Sequence, residues 1–120
     1  MDPVYVNPKN LTHRSDSASY NGIVFLAGVM PRNGATADMR EQTKDVLVQI
    51  DEMLAAAGTD KSRLLWTNIW LADPKGDIAA FNEVWNAWVV PGRQPARAAV
   101  QSAFQIPGLL EVAVTAAGPA

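Results

Sequence analysis

An arginine that leads into an apolar strand needs an anion opposite it. In this chain Pro95-Ala96-Arg97 runs straight into Ala98-Ala99-Val100. A guanidinium stays ionised at physiological pH and presents a planar fork of donors shaped to a carboxylate or a phosphate. Its partner is therefore a protein carboxylate or a ligand. Glu111, fourteen residues further on, opens a second apolar run, Val112-Ala113-Val114-Thr115-Ala116, and brings a carboxylate into the neighbourhood. Other reactive groups are scarce. The chain has no cysteine and a single histidine, His13, which excludes disulfides, thiol nucleophiles and thiolate metal sites and leaves little for a zinc site. No metal or other cofactor is expected.

Composition narrows the classes further. A chain of 120 residues, 48% of them apolar, is expected to form one domain over residues 1–120. A domain of this size buries roughly two thirds of the surface its unfolded chain exposes, so it folds without staples. The formal charge of −2, with no cluster of Lys or Arg, argues against a nucleic-acid partner, whose binding rests on neutralising several phosphates together. The longest apolar stretches fall far short of the roughly 20 residues of a spanning helix, and no basic-then-apolar leader opens the chain. No membrane partner is expected, and the default location is cytoplasmic.

The elements that must position Arg97 and Glu111 can be read in order. Val4-Tyr5-Val6, bounded by Pro3 and Pro8, reads as a short edge strand. Asn21-Gly22 reads as a hairpin turn between strands over 17–20 and 23–27, because a type I′ turn needs positive φ at both central residues. Gly28 ends the second of these strands. From Thr36 as N-cap, apolar residues recur at Met39, Val46, Leu47, Ile50, Met53 and Leu54 with helical period, and Gly58 supplies the C′ residue. Residues 64–71 read as a strand with large side chains on both faces, Leu65, Ile69 and Leu71 alternating with Trp66 and Trp70. Asp77 is expected to cap a second helix, with Ile78, Phe81, Trp85 and Trp88 as its apolar stripe and Pro91-Gly92 as its stop. The strand led by Arg97 then runs to Ala103, the chain turns through Pro107-Gly108, and a last strand runs to Ala117.

This order gives an α+β sandwich with both helices on one face of a sheet. The other face still carries aromatic and small apolar residues. A lone copy would leave that patch in water, so self-association through the uncovered face is expected.

The joint order of Gly28, Glu41-Gln42-Thr43, Ala56-Ala57-Gly58, Phe81-Asn82, Pro95-Ala96-Arg97 and Glu111 resembles the Rid family of reactive intermediate deaminases, also called the YjgF or RidA family. Lys61-Ser62, Leu71-Ala72-Asp73 and Ala87-Trp88-Val89-Val90, followed by Arg97-Ala98-Ala99-Val100-Gln101, are similar to its YoaB-like branch. The resemblance spans nearly the whole chain. It implies a chorismate-mutase-like fold, a mixed sheet of about six strands with two helices on one face, and a homotrimer built sheet to sheet with ligand clefts between subunits.

The resemblance also implies an activity, the hydrolysis of 2-imino or 2-enamino acids such as 2-aminoacrylate to 2-keto acids and ammonia. Arg97 would hold the substrate carboxylate and Glu111 would position the attacking water. Asn82, Gly28, Arg14 and Ala99 complete the expected substrate-binding set. Two of these positions differ from many deaminating relatives. Arg14 or Ser15 stands near a frequent tyrosine, and Ala99 replaces a frequent cysteine. The chemistry needs no metal, because an imine carbon becomes electrophilic when its nitrogen is protonated, and orientation of a water can do the rest. A trimer that binds small carboxylates in the same clefts without turnover is the alternative. For each residue a structural role stands beside the functional one: Arg97 as the ion-pair partner of Glu111, Asn82 as a helix-sheet junction, and His13 as a loop residue.

Overall fold

The computed structural model describes residues 1–119. Six strands and two long helices follow one another as β1 (Val4–Val6), β2 (Ser17–Tyr20), β3 (Ile23–Leu26), α1 (Met39–Ala56), β4 (Leu64–Leu71), α2 (Pro74–Trp88), β5 (Ala96–Gln101) and β6 (Leu110–Ala117). They form one sheet in the order β1-β2-β3-β6-β4-β5, with β4 and β5 parallel and the other neighbours antiparallel. The two helices pack on each other and share one core with the sheet, so a single face is covered. This is the expected mixed six-stranded sheet with two helices on one side.

Local chemistry explains most boundaries. Asn21 and Gly22 adopt φ of 53° and 81°, as the hairpin turn between β2 and β3 requires. Gly58, at φ 81°, closes α1 and donates its N–H to Ala55 O at 3.0 Å. The helix starts, however, differ from expectation. Asp38, not Thr36, caps α1, its carboxylate accepting from the Glu41 N–H at 2.9 Å. The N–H groups of Thr36 and Ala37 are already taken by Asn33 O in a preceding turn. Asp73, not Asp77, caps α2, because Pro74 loses no bond at a first helical position and lets the helix begin earlier. Asp77 lies instead in the first turn, where a negative charge suits the helix dipole.

Strand β4 also carries a correction. A bulge between Leu64 and Trp66 breaks the alternation, so Leu64 is buried while Leu65 is exposed. From there on, Thr67, Ile69 and Leu71 face the helices, and Trp66, Asn68 and Trp70 face the open side. β5 ends at Gln101, two residues before the expected Ala103. The open face is apolar as anticipated: Tyr5, Ala18, Phe25, Thr115, Trp66 and Ala96 lie side by side across all six strands. Tyr5, Phe25 and Trp66 remain 64%, 53% and 40% exposed on it.

Candidate functional site

Arg97 sits on β5, the edge strand of the sheet, in register with Thr67 of β4. In-register partners share a face, so the arginine points to the helix side and meets α2. Its Nη2 donates to Asn82 Oδ1 at 2.7 Å, and the guanidinium carbon stands 5.7 Å from the ring centroids of both Phe81 and Trp85. Aromatic faces at that range attract a cation without neutralising it. Among the described residues Arg97 forms no ion pair. Its Nη1 is buried with no hydrogen-bond partner, and burial pulls the guanidinium below the ordinary arginine range. The result is a fixed cation that lacks a counter-charge.

Glu111 takes the opposite face. It is in register with Trp70, while its neighbours Leu110 and Val112 are fully buried toward the helices. Its carboxylate lies against Gly28, where a Cβ would stand only 2.2 Å from Glu111 Oε2. Glycine at this position leaves the space that the carboxylate occupies, and a side chain there would displace it. Both residues line a cleft of about 870 Å³ at the end of β3, together with Arg14, His13, Phe104 and Ile106. Arg14 pairs with Asp16 at 2.9 Å within this cleft.

The expected site residues therefore fall into two groups within one chain. Gly28, Arg14 and Glu111 share the cleft, whereas Arg97 and Asn82 are joined on the other side of the sheet and do not line it. Ala99, exposed and in register with Ile69, follows Arg97 along the same edge strand. The ion pair between Arg97 and Glu111, one of the structural roles weighed above, is not formed. His13 lines the cleft from an exposed loop position.

A buried polar residue outside the cleft helps to fix the strand that carries Glu111. Gln42 is 1% exposed, donates to Ala37 O at 2.8 Å and accepts the Leu109 N–H at 2.8 Å. It thereby ties the start of α1 to the entry of β6, two residues before Glu111. Its sign in the sequence is a polar residue between Met39 and Val46 on the apolar stripe of the helix.

Comparisons with known proteins cover the full fold. A family model described as Endoribonuclease L-PSP matches residues 6–118. The chain is 42% identical over 104 residues to the RutC family protein YoaB of Escherichia coli, spanning 86% of this chain and 89% of that protein. A solved structure of a YjgF family member from Neisseria meningitidis superposes with a TM-score of 0.91 at 42% identity, over 100% of this chain and 98% of that one. The chain is also 36% identical over 101 residues to the chloroplastic Reactive Intermediate Deaminase A of Arabidopsis thaliana, covering 80% of this chain and 53% of that protein.

Proposed function

Because the chain belongs to the YjgF/Rid family and has its chorismate-mutase-like fold, we propose that it hydrolyses reactive 2-imino and 2-enamino acids, such as 2-aminoacrylate, to 2-keto acids and ammonia. The observation that carries this reading is the state of Arg97. A guanidinium fixed by Asn82, flanked by two aromatic rings and left without a carboxylate is built to receive an anion. The Arabidopsis relative, Reactive Intermediate Deaminase A, supports the same chemistry by its name.

The reaction follows from the residues. Arg97 binds the substrate carboxylate through its remaining donors and sets the orientation of the C=N carbon. An enamine first takes a proton at its β-carbon to become the iminium. Glu111 accepts a hydrogen bond from a water and removes its proton as the oxygen attacks the iminium carbon, giving a tetrahedral carbinolamine. That proton passes to the amino nitrogen; the C–N bond breaks and ammonia leaves as the carbinolamine hydroxyl gives its proton to Glu111 and the C=O bond of the keto acid forms, and Glu111 then passes that proton to the departing ammonia. Holding two reactants in line is the main contribution, and the reaction needs no intermediate bonded to the protein.

Two copies are required on this reading. Arg97 faces the helix layer at the sheet edge, and Glu111 faces the open side beside Gly28. A homotrimer packed through the open faces would lay the β5 edge of one copy against the cleft of the next. The row from Tyr5 to Trp66 supports this packing, since it leaves the rings of Tyr5, Phe25 and Trp66 exposed on one face of a single copy. The ribonuclease in the description of the family model is less well matched. The net charge is −2, and Arg14, Arg32 and Arg40 are each engaged by a carboxylate of the chain.

The test is calorimetric titration with 2-ketobutyrate beside turnover of freshly generated 2-aminoacrylate. Arg97→Lys keeps the charge but loses the fork, and Arg97→Ala loses both, so affinity should fall in that order. Loss of a charge-assisted contact corresponds to roughly a tenfold to hundredfold weaker affinity for Arg97→Ala. Equal affinity in wild type and Arg97→Ala removes the clamp. Binding without turnover above the spontaneous rate selects the non-catalytic carboxylate binder instead.

A further inference from the structure

Thr67 breaks the pattern of its strand. It is fully buried on β4, at a position whose same-face neighbours Ile69 and Leu71 are apolar. Valine would fill the same space without a polar atom, so the hydroxyl calls for an explanation. Thr67 is the register partner of Arg97, and both side chains project to the helix side. Two buried polar atoms of this pair of neighbours, Thr67 Oγ1 and Arg97 Nη1, have no hydrogen-bond partner among the described residues. A buried hydroxyl or guanidinium N–H left unbonded is costly, and adjacent orphans share one remedy.

A single water can accept from a nitrogen and donate to an oxygen, so one molecule can serve both groups. We propose that Thr67 is a positioning residue for the clamp, its hydroxyl holding Arg97 Nη1 through one shared water. The guanidinium is then fixed at two points, by Asn82 at Nη2 and by Thr67 at Nη1, and its remaining donors are aimed before the substrate arrives. Restraining a long side chain in advance reduces the ordering cost of binding. The inference rests on the reading of Arg97 as a carboxylate clamp and extends it to the residue that aims it.

The experiment compares wild type, Thr67→Val, Thr67→Ser and Arg97→Ala by calorimetric titration with 2-ketobutyrate and by thermal melts. Thr67→Val should bind about three- to tenfold more weakly, while its melting temperature stays within a few degrees of wild type, because burial of a methyl in place of the hydroxyl offsets the bond lost at Nη1. Thr67→Ser keeps the hydroxyl and should bind within about twofold of wild type. A structural role alone would not give weaker binding at unchanged stability with rescue by serine. Wild-type affinity in Thr67→Val, with Arg97→Ala weakened, overturns the role of Thr67 and leaves the clamp intact. No binding by wild type, or equal binding by Arg97→Ala, overturns the clamp itself. Crystal structures of wild type and Thr67→Val then test the coupling without ligand. A water bonded to both Oγ1 and Nη1, and a guanidinium that turns away in the valine variant, support it. A guanidinium that keeps its place in Thr67→Val overturns it.

Discussion

Gly28→Ala separates stability from catalysis in a way that the contact with Glu111 makes quantitative. The new Cβ would stand 2.2 Å from Glu111 Oε2 and 3.2 Å from Cδ. An ordinary contact requires the oxygen to retreat by about 1 Å, and because the obstacle is the far end of a flexible side chain, the carboxylate gives way rather than the backbone. Gly28 does not adopt a positive φ, so alanine is compatible with its backbone. Forcing Glu111 off its rotamer costs about 0.5–1.5 kcal/mol. Replacing glycine restricts the unfolded chain and returns about 0.4–1 kcal/mol. These terms nearly cancel, and the melting temperature should move by no more than a few degrees.

Rate has no such compensation. A group that positions the attacking water loses on the order of a hundredfold when displaced by about 1 Å. That corresponds to about 2.7 kcal/mol in the barrier. The assay follows loss of 2-aminoacrylate, released in place by a pyridoxal-phosphate dehydratase, against the spontaneous rate. Turnover should fall about ten- to a hundredfold, while 2-ketobutyrate affinity, which the proposed clamp assigns to Arg97, stays near that of wild type. Glu111→Gln should lose turnover similarly, and the double variant should be no worse than the poorer single one, since both act on one carboxylate. If Gly28→Ala keeps wild-type turnover while Glu111→Gln loses it, the carboxylate does not act from its place against Gly28, and the reasoning fails.

Two further outcomes test the assembly. Phe25→Asp puts a charge into the open-face row at a residue 53% exposed in the single copy, so the chain should still fold but sediment as monomer and lose turnover; a trimer with wild-type turnover would refute packing through that face. Co-folding equal amounts of Arg97→Ala and Glu111→Gln chains should restore about a quarter of wild-type turnover, because a site drawing Arg97 from one copy and Glu111 from the next is intact in one random pairing of four; no recovery would place both residues in one copy's site.

How much was legible in the sequence depends on the range of the interaction that decides each feature. The hairpin turn at Asn21-Gly22 and the end of α1 at Gly58 were readable because a positive φ is a local demand that few residues meet. The helix starts were not, since Thr36 and Asp77 are as good caps in isolation as Asp38 and Asp73. The choice fell to a preceding turn at Asn33 in one case and to Pro74 in the other. Leu65 was misassigned for the same reason: a bulge is set by the pairing of β4 with β6, and a single displaced residue changes which face the side chains before it occupy. The buried contacts of Thr67 and Gln42 are not legible, because a polar residue in an apolar pattern signals a buried bond without naming its partner.

Arg97 and Glu111 show why a candidate site can be legible as a set of residues and not as a place. Fourteen residues apart and each opening a strand of one sheet, they look like natural neighbours. Their faces are fixed by pleat and register, which depend on β4 lying between them: Thr67 carries Arg97 to the helix side, and Trp70 carries Glu111 to the open side. The sheet itself therefore separates the cation from the carboxylate within a copy. A pair held apart in this way neither collapses into an internal salt bridge nor shields the arginine from an incoming anion, which is the condition a carboxylate clamp requires. The same strand order leaves β5 as a free edge and the aromatic row uncovered, so the feature that splits the site also supplies the surfaces through which a second copy would complete it.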